Sequence, residues 1–221
     1  EKVMQDYINL IRLKHYIKNL LIFLPLIFSG NFFNVQLLIL AVCGFLSFSF
    51  AACVVYIIND IRDREKDRLH EKKKERPIAS GKITVKNAVV TAAVLLAVSL
   101  ILQGLIQNNW ISYVYVLVYV AVNVGYSFGL KDVALLDITI LVSGFLIRVL
   151  YGGELIDVEV SNWLYLTVIS ASFYLGLGKR RNEIIKVGTE SRKVLQYYNK
   201  SFLDKNMYMC LGLTIVFYSL W

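Results

Sequence analysis

Asp60, Asp63 and Asp67 are spaced i, i+3, i+7. On a helix this spacing puts three carboxylates on one face, with Asn59, four residues before Asp63, at its border. Carboxylates stacked this way repel one another, and a divalent cation among them makes the arrangement favourable. Mg²⁺, or Mn²⁺ in its place, takes one or two carboxylates and completes its shell with phosphate oxygens and water. The chemistry implied is the holding of a diphosphate through metal. The competing reading is a solvated helix end with local ion pairs, such as Asp63 with Lys66. Context favours the metal. The motif continues an apolar stretch, where charge is costly unless used. A basic run, Lys72-Lys73-Lys74-Glu75-Arg76, and then Pro77-Ile78-Ala79-Ser80-Gly81 follow it. Carboxylates with cations nearby suit a metal–diphosphate site. For most of the lysines, topogenic charge or contact with anionic lipid is an equal reading.

Other polar residues sit in apolar surroundings. Asp137 and Arg148 lie in one apolar segment, eleven residues apart. They share a helical face but are separated by about 16 Å, too far to pair with each other. For Arg148, helix packing through hydrogen bonds and substrate contact are both open. Tyr56, one turn before Asp60, either points into the same cavity or is a core tyrosine. The three cysteines, Cys43, Cys53 and Cys210, form no CxxC pair and read as buried, inert thiols.

The elements that must carry these residues are membrane helices. Apolar residues make up 57% of the chain and charged residues 18%, against about 45–50% and about 25% in a soluble domain. No Asp, Glu, Lys or Arg occurs between Asn19 and Asn59, or between Asn87 and Leu130. A soluble enzyme, a secreted scaffold and a disordered chain are excluded. Seven apolar segments run near 19–35, 37–58, 86–106, 110–130, 133–152, 160–178 and 206–221. Backbone groups in lipid must pair internally, so helices are expected. Turns are expected at Ser29-Gly30-Asn31 and at Gln107-Asn108-Asn109. Residues 3–17 mix apolar and basic positions and suit an amphipathic helix on the membrane surface.

Charge sets an orientation. Residues 59–86 carry ten Lys/Arg and residues 179–205 carry eight, whereas 30–36, 107–109 and 152–161 carry none. The positive-inside rule places both basic loops and the N-terminus in the cytoplasm. The net charge of +8 is therefore mostly topology. Nucleic-acid binding fits poorly, because residues 59–86 also hold six Asp/Glu. No cleavable signal peptide is visible, and residues are expected to be missing at both ends.

The stretch Asn59-Asp60-x-x-Asp63-x-x-x-Asp67, with Arg76-Pro77-Ile78-Ala79-Ser80-Gly81 behind it, resembles the first aspartate signature of the UbiA superfamily of intramembrane prenyltransferases. Tyr126-Ser127-x-x-Leu130-Lys131 resembles its YSxxLK element. Within the superfamily the chain is most similar to decaprenyl-phosphate phosphoribosyltransferases. This likeness rests on His15-Tyr16-Ile17-Lys18-Asn19, Asp67-Arg68-x-His70-x-x-Lys73, Phe145-Leu146-Ile147-Arg148-x-x-x-Gly152-Gly153 and Gly178-Lys179-Arg180-x-x-Glu183. His15 departs from the pattern, standing where an aromatic residue is usual.

The resemblance implies an all-α, polytopic membrane bundle forming one domain over 1–221. Seven transmembrane helices of a nine-helix fold would be present, with an N-terminal interfacial helix. The superfamily's ordinary members carry a second DxxxD near the sixth helix's cytoplasmic end. Here Lys179-Arg180-Arg181-Asn182-Glu183 stands there, and no DxxxD follows Asp67. Lys179 and Glu183 are i,i+4 and can pair. Three cations in place of two acids suit a ligand with two separated anionic ends, such as 5-phosphoribosyl diphosphate, or a phosphate-headed lipid. Topogenic charge is the alternative for this cluster.

The expected reaction is phosphoribosyl transfer to a polyprenyl phosphate. Asn59, Asp60, Asp63 and Asp67 would hold the metal, the three aspartates serving catalysis. Lys18, Tyr56, Lys73, Arg76, Tyr126, Lys131, Arg148, Lys179, Arg180 and Glu183 would contact substrates. Membrane lipids are the further expected partner, and a homo-oligomer is left open. A prenyltransferase acting on an aromatic acceptor is the alternative enzyme, and a transporter or channel is the alternative outside enzymes.

Overall fold

The computed structural model describes residues 2–106, 109–189 and 192–221, and among these every regular element is helical. The chain opens with α1 (Lys2–Ile11), a 3₁₀ helix (Leu13–Phe23) and the short α2 (Leu24–Phe28). Then come α3 (Val35–Arg62), α4 (Arg64–Arg68), α5 (Val85–Ile106) and α6 (Trp110–Ser127). The chain continues with α7 (Leu136–Leu155), α8 (Asn162–Val187) and α9 (Lys200–Leu220).

Local chemistry starts several of these helices. Side chains of Asn34, Asn109, Ser161 and Asn199 accept hydrogen bonds from backbone N–H groups in the first turns of α3, α6, α8 and α9. These satisfy donors that a helix start leaves unpaired. Among the described residues four helices, α3, α5, α6 and α7, are long and apolar enough to cross a membrane. The lipid-compatible face of α5 carries Val90, Ile101 and Leu105, at 55%, 62% and 78% exposure. With 26 and 21 residues, α8 and α9 have the length but are more polar.

Two expectations need correction. The first apolar segment, 19–35, is not one α-helix. A 3₁₀ helix of 11 residues passes into α2 and a turn that ends at Asn34. The surface helix expected over 3–17 ends at Ile11, because Arg12 takes a left-handed conformation with φ 51°. Of the turn expected at 107–109, Gln107 and Asn108 lie outside the described residues.

Packing around the 3₁₀ helix explains why it runs so close to α7. A Cβ added at Gly152 would sit 2.1 Å from the Ile22 carbonyl oxygen. Only glycine lets the two backbones approach this closely. Ile22 joins Phe48, Tyr119, Tyr151 and Leu155 in one buried cluster. A second cluster joins Ile138, Leu177, Leu195 and Leu203. It ties the loop after α8 back onto α7, α8 and α9.

Candidate active site

Helix α3 delivers the acidic residues to its own end and stops there. Asp63 has φ −86° and ψ 5°, and the short α4 begins at Arg64. The helical hydrogen-bond pattern nearly survives the break: Asp63 N–H donates to Asn59 O, and Asp67 N–H to Asp63 O. The four residues therefore stay close along the chain, but their side chains diverge.

Two polar chambers meet at Asn59, Tyr126 and Lys179, which line both. The loop chamber has a volume of about 650 Å³. Its acidic lining is Asp63, Asp67, Asp132 and Glu183, and its cations include Lys73, Arg76, Lys131 and Arg192. The inner chamber, of about 240 Å³, lies deeper in the bundle, against Tyr56, Tyr119 and Arg148. Its charged residues are Arg12, Lys18, Arg148 and Lys179, and His15 also lines it.

The carboxylates of the loop chamber are held by cations from distant segments. Lys131 Nζ donates to both Asp63 oxygens, at 2.9 and 3.0 Å. Arg76 Nη1 bridges Asp67 Oδ2 at 2.6 Å and Asp60 Oδ1 at 3.0 Å. Asn59 Oδ1 accepts from the Ser127 hydroxyl at 3.3 Å. Asp63 bonds to Lys131, not to Lys66 as in the competing reading of local ion pairs.

Asn59, Asp63 and Asp67 form an all-oxygen donor set on one chamber, which is what a hard divalent cation takes. Among the described residues, no three acidic, cysteine or histidine side chains gather into a metal cluster by themselves. A cation there would draw on two carboxylates, the Asn59 amide oxygen and ligand phosphate oxygens.

Asp60 and Arg180 differ from expectation, since neither lines a chamber. Asp60 is 3% exposed, and its Oδ1 accepts from Arg12 Nη2 as well as Arg76. It fastens the N-terminal segment and the residue-76 loop onto α3. Arg180 is fully enclosed, with its Nε 2.6 Å from Asp137 Oδ2 and its Nη1 2.5 Å from Glu183 Oε2. Its guanidinium is occupied by partners inside the protein. Asp137 is also 0% exposed and accepts from the Tyr198 hydroxyl at 2.6 Å. Glu183 pairs with Arg180 and Arg192, and the i,i+4 pair with Lys179 does not form.

The remaining expected residues are brought together. Lys73, Arg76, Lys131 and Glu183 line the loop chamber. Lys18, Tyr56 and Arg148 line the inner one, and Tyr126 and Lys179 line both. The Tyr126 hydroxyl accepts from Arg180 Nη2 and Arg192 Nη2, each at 3.4 Å. Burial works against the charge on Arg192, but Tyr126 and Glu183 beside it outweigh that and raise its pKa. Arg148 hydrogen-bonds in the helix packing and also lines the inner chamber. Its Nε donates to Asn19 Oδ1 at 2.7 Å, Nη1 to Gly144 O at 2.6 Å and Nη2 to the Tyr119 hydroxyl at 2.9 Å. It also lies over the rings of Tyr119 and Phe48.

Arg12, Asp132 and Arg192 were not expected at the site. For Arg12 the available signal is a cation placed just before the His15-to-Asn19 motif. Arg192 opens the Arg192-Lys193-Val194-Leu195 stretch.

The geometry matches known proteins along almost the whole chain. The model of the UbiA prenyltransferase family matches residues 20–220. A decaprenyl-phosphate phosphoribosyltransferase of Corynebacterium glutamicum is 33% identical over 97% of this chain and 66% of its own length. One from Mycolicibacterium smegmatis is 35% identical over 100% of this chain and 71% of its own. The chain thus spans about two thirds of the length of these relatives. A solved UbiA homolog from Archaeoglobus fulgidus, bound to DMAPP and Mg²⁺, superposes with a TM-score of 0.79 at 20% identity, covering 97% of this chain and 77% of its own. That likeness concerns the fold. The chain belongs to the UbiA prenyltransferase family.

Proposed function

We propose that the protein transfers a 5-phosphoribosyl group from 5-phosphoribosyl diphosphate to a polyprenyl phosphate. The bond from ribose C1 to the diphosphate oxygen breaks, and a bond from C1 to an oxygen of the lipid phosphate forms. Inorganic pyrophosphate leaves. The observation that carries this is the composition of the loop chamber. The acidic end of α3 shares it with Lys179, Arg192 and Lys131, and no second pair of aspartates stands on α8. One acidic wall with one basic wall suits a donor anionic at both ends. The relatives named decaprenyl-phosphate phosphoribosyltransferase support the same choice.

Asn59, Asp63 and Asp67 would hold Mg²⁺, which would neutralise charge developing on the leaving diphosphate. Lys73 and Lys131 meet phosphate oxygens as point charges. Positive charge grows at ribose C1 as the leaving bond stretches, and the lipid phosphate attacks already ionised, so no strong general base is required. Asp60 and Arg180 act at one remove: Asp60 fixes Arg12 and Arg76, and Arg180 fixes Tyr126 and Glu183. The charge of the basic loops supports a loop chamber on the cytoplasmic side of the membrane.

The test offers the purified protein radiolabelled phosphoribosyl diphosphate with polyprenyl phosphate. In parallel it offers a prenyl diphosphate with aromatic acceptors. A labelled lipid formed only in the first reaction is expected. Prenylated acceptor without labelled lipid overturns the proposal.

A further inference from the structure

The two chambers differ in kind. Four carboxylate residues line the loop chamber, whereas among the described residues no Asp or Glu lines the inner one. Of the inner chamber's four Arg and Lys residues, only Arg12 has a carboxylate within ion-pair distance among the described residues. Lys18, Arg148 and Lys179 have none.

Arg148 is the most telling of the three, because it is 4% exposed and sits on a membrane-crossing helix. Its acceptors are an amide oxygen, a carbonyl and a phenol, all neutral. Three of its N–H groups are used, out of the five a guanidinium offers. A buried cation in such a place is costly without an anion and marks a functional site. The His15 Nδ1 atom, on the same lining, is buried without a hydrogen-bond partner.

A third cavity identifies the anion's source. An apolar groove of about 540 Å³ is lined by Leu21, Leu24, Leu164 and Val168. Lys18 and Phe145 line both this groove and the inner chamber. A molecule with a phosphate head and a long apolar chain fits the two together. A sugar phosphate fills only the first.

We infer that the inner chamber is a carboxylate-free binding site for a phosphate monoester. The monoester is the head of the polyprenyl phosphate, and its chain enters the groove past Lys18 and Phe145. This rests on the proposed phosphoribosyl transfer and divides its two substrates between the chambers. The donor's diphosphate occupies the loop chamber. The acceptor's phosphate reaches it from the inner one, at the shared residues Asn59, Tyr126 and Lys179.

Initial rates with each substrate varied in turn test the division, using Lys18→Gln and the charge-keeping Arg148→Lys. The KM for polyprenyl phosphate should rise about tenfold, the scale of one charged hydrogen bond. The KM for phosphoribosyl diphosphate should stay within about threefold, as for a substrate that does not touch these cations. A rise confined to phosphoribosyl diphosphate places the sugar's own 5-phosphate in the inner chamber and overturns the inference. So does no change in either constant.

A binding arm separates this inference from the reaction itself. Tritiated short-chain polyprenyl phosphate should bind the wild-type protein in excess EDTA, more tightly than the matching polyprenol. Lys18→Gln, an exposed residue whose loss spares the fold, should weaken that binding about tenfold. Loss of binding in EDTA overturns the site. Binding that persists and depends on Lys18, with no phosphoribosyl transfer under any condition, keeps the site and refutes the proposed reaction.

Discussion

Lys131 Nζ sits between the two carboxylate oxygens of Asp63, at 2.9 and 3.0 Å, although 68 residues separate them in the chain. The bond joins the loop between α6 and α7 to the end of α3. A divalent cation and a diphosphate arriving together would exchange partners here, the cation taking Asp63 and a phosphate oxygen taking Lys131. Activity should therefore vanish in excess EDTA and return with Mg²⁺ or Mn²⁺. Asp63→Asn should fall below about a tenth of wild-type rate, the scale of losses at metal ligands and their supports. Unimpaired turnover in EDTA would refute the metal assignment.

The Asp137–Arg180 pair makes a different prediction, because both side chains are fully enclosed. Breaking it from one side leaves a buried charge without its partner and costs about 3–5 kcal/mol. Asp137→Asn and Arg180→Met should each lower the unfolding midpoint in detergent. The double variant Asp137→Leu/Arg180→Met should recover much of the loss, since well-packed apolar residues often replace a buried pair at little cost. Stability unchanged in both single variants would show that the pair does not hold α7 to α8.

The acidic cluster, the helical class and the basic loops are readable from the sequence, but the single helical face expected for Asp60, Asp63 and Asp67 is broken where α3 ends at Asp63. What holds each acid is not readable. Arg12, Arg76 and Lys131 reach their partners across 48, 16 and 68 residues, and no local period encodes such distances. Asp60 looks like Asp63 in sequence, yet the chain's return at Arg12 and Arg76 encloses it. Arg180 looks like Lys179, but one step along α8 turns it about 100°. That rotation separates a chamber wall from the buried Asp137. The close approach of the first segment to α7 at Gly152, 130 residues after Ile22, is equally invisible to local pattern.

Gly152 offers a direct check on that packing. The Cβ in Gly152→Ala would meet backbone, at 2.1 Å from Ile22 O, so a side-chain rotation cannot relieve it. The first segment must shift, at a cost of about 1–3 kcal/mol. Asn19, three residues before Ile22, would carry the shift to Arg148, whose Nε it accepts. Lower thermal stability and a raised KM for polyprenyl phosphate should appear together. A variant as stable and as active as wild type would show that this approach is not needed.

Loop charge predicts the sidedness in the membrane, and with it the compartment that would supply the proposed donor. Glu71 is exposed in the basic stretch after α4, and Asp157 is exposed in the short turn after α7. The helix crossings between them place these two positions on opposite sides. On the positive-inside rule, the excess of Lys and Arg predicts that Glu71, with Lys73 and Arg76 beside it, faces the cytoplasm. Single cysteines at each position, in a variant with Cys43, Cys53 and Cys210 replaced, would be treated with a membrane-impermeant maleimide. In intact cells only the cysteine at 157 should react, and in inverted vesicles only the one at 71. The opposite labelling would move the loop chamber to the outer side, away from any cytoplasmic supply of a sugar diphosphate. The proposed donor would then be untenable, whatever the chemistry of Asp63.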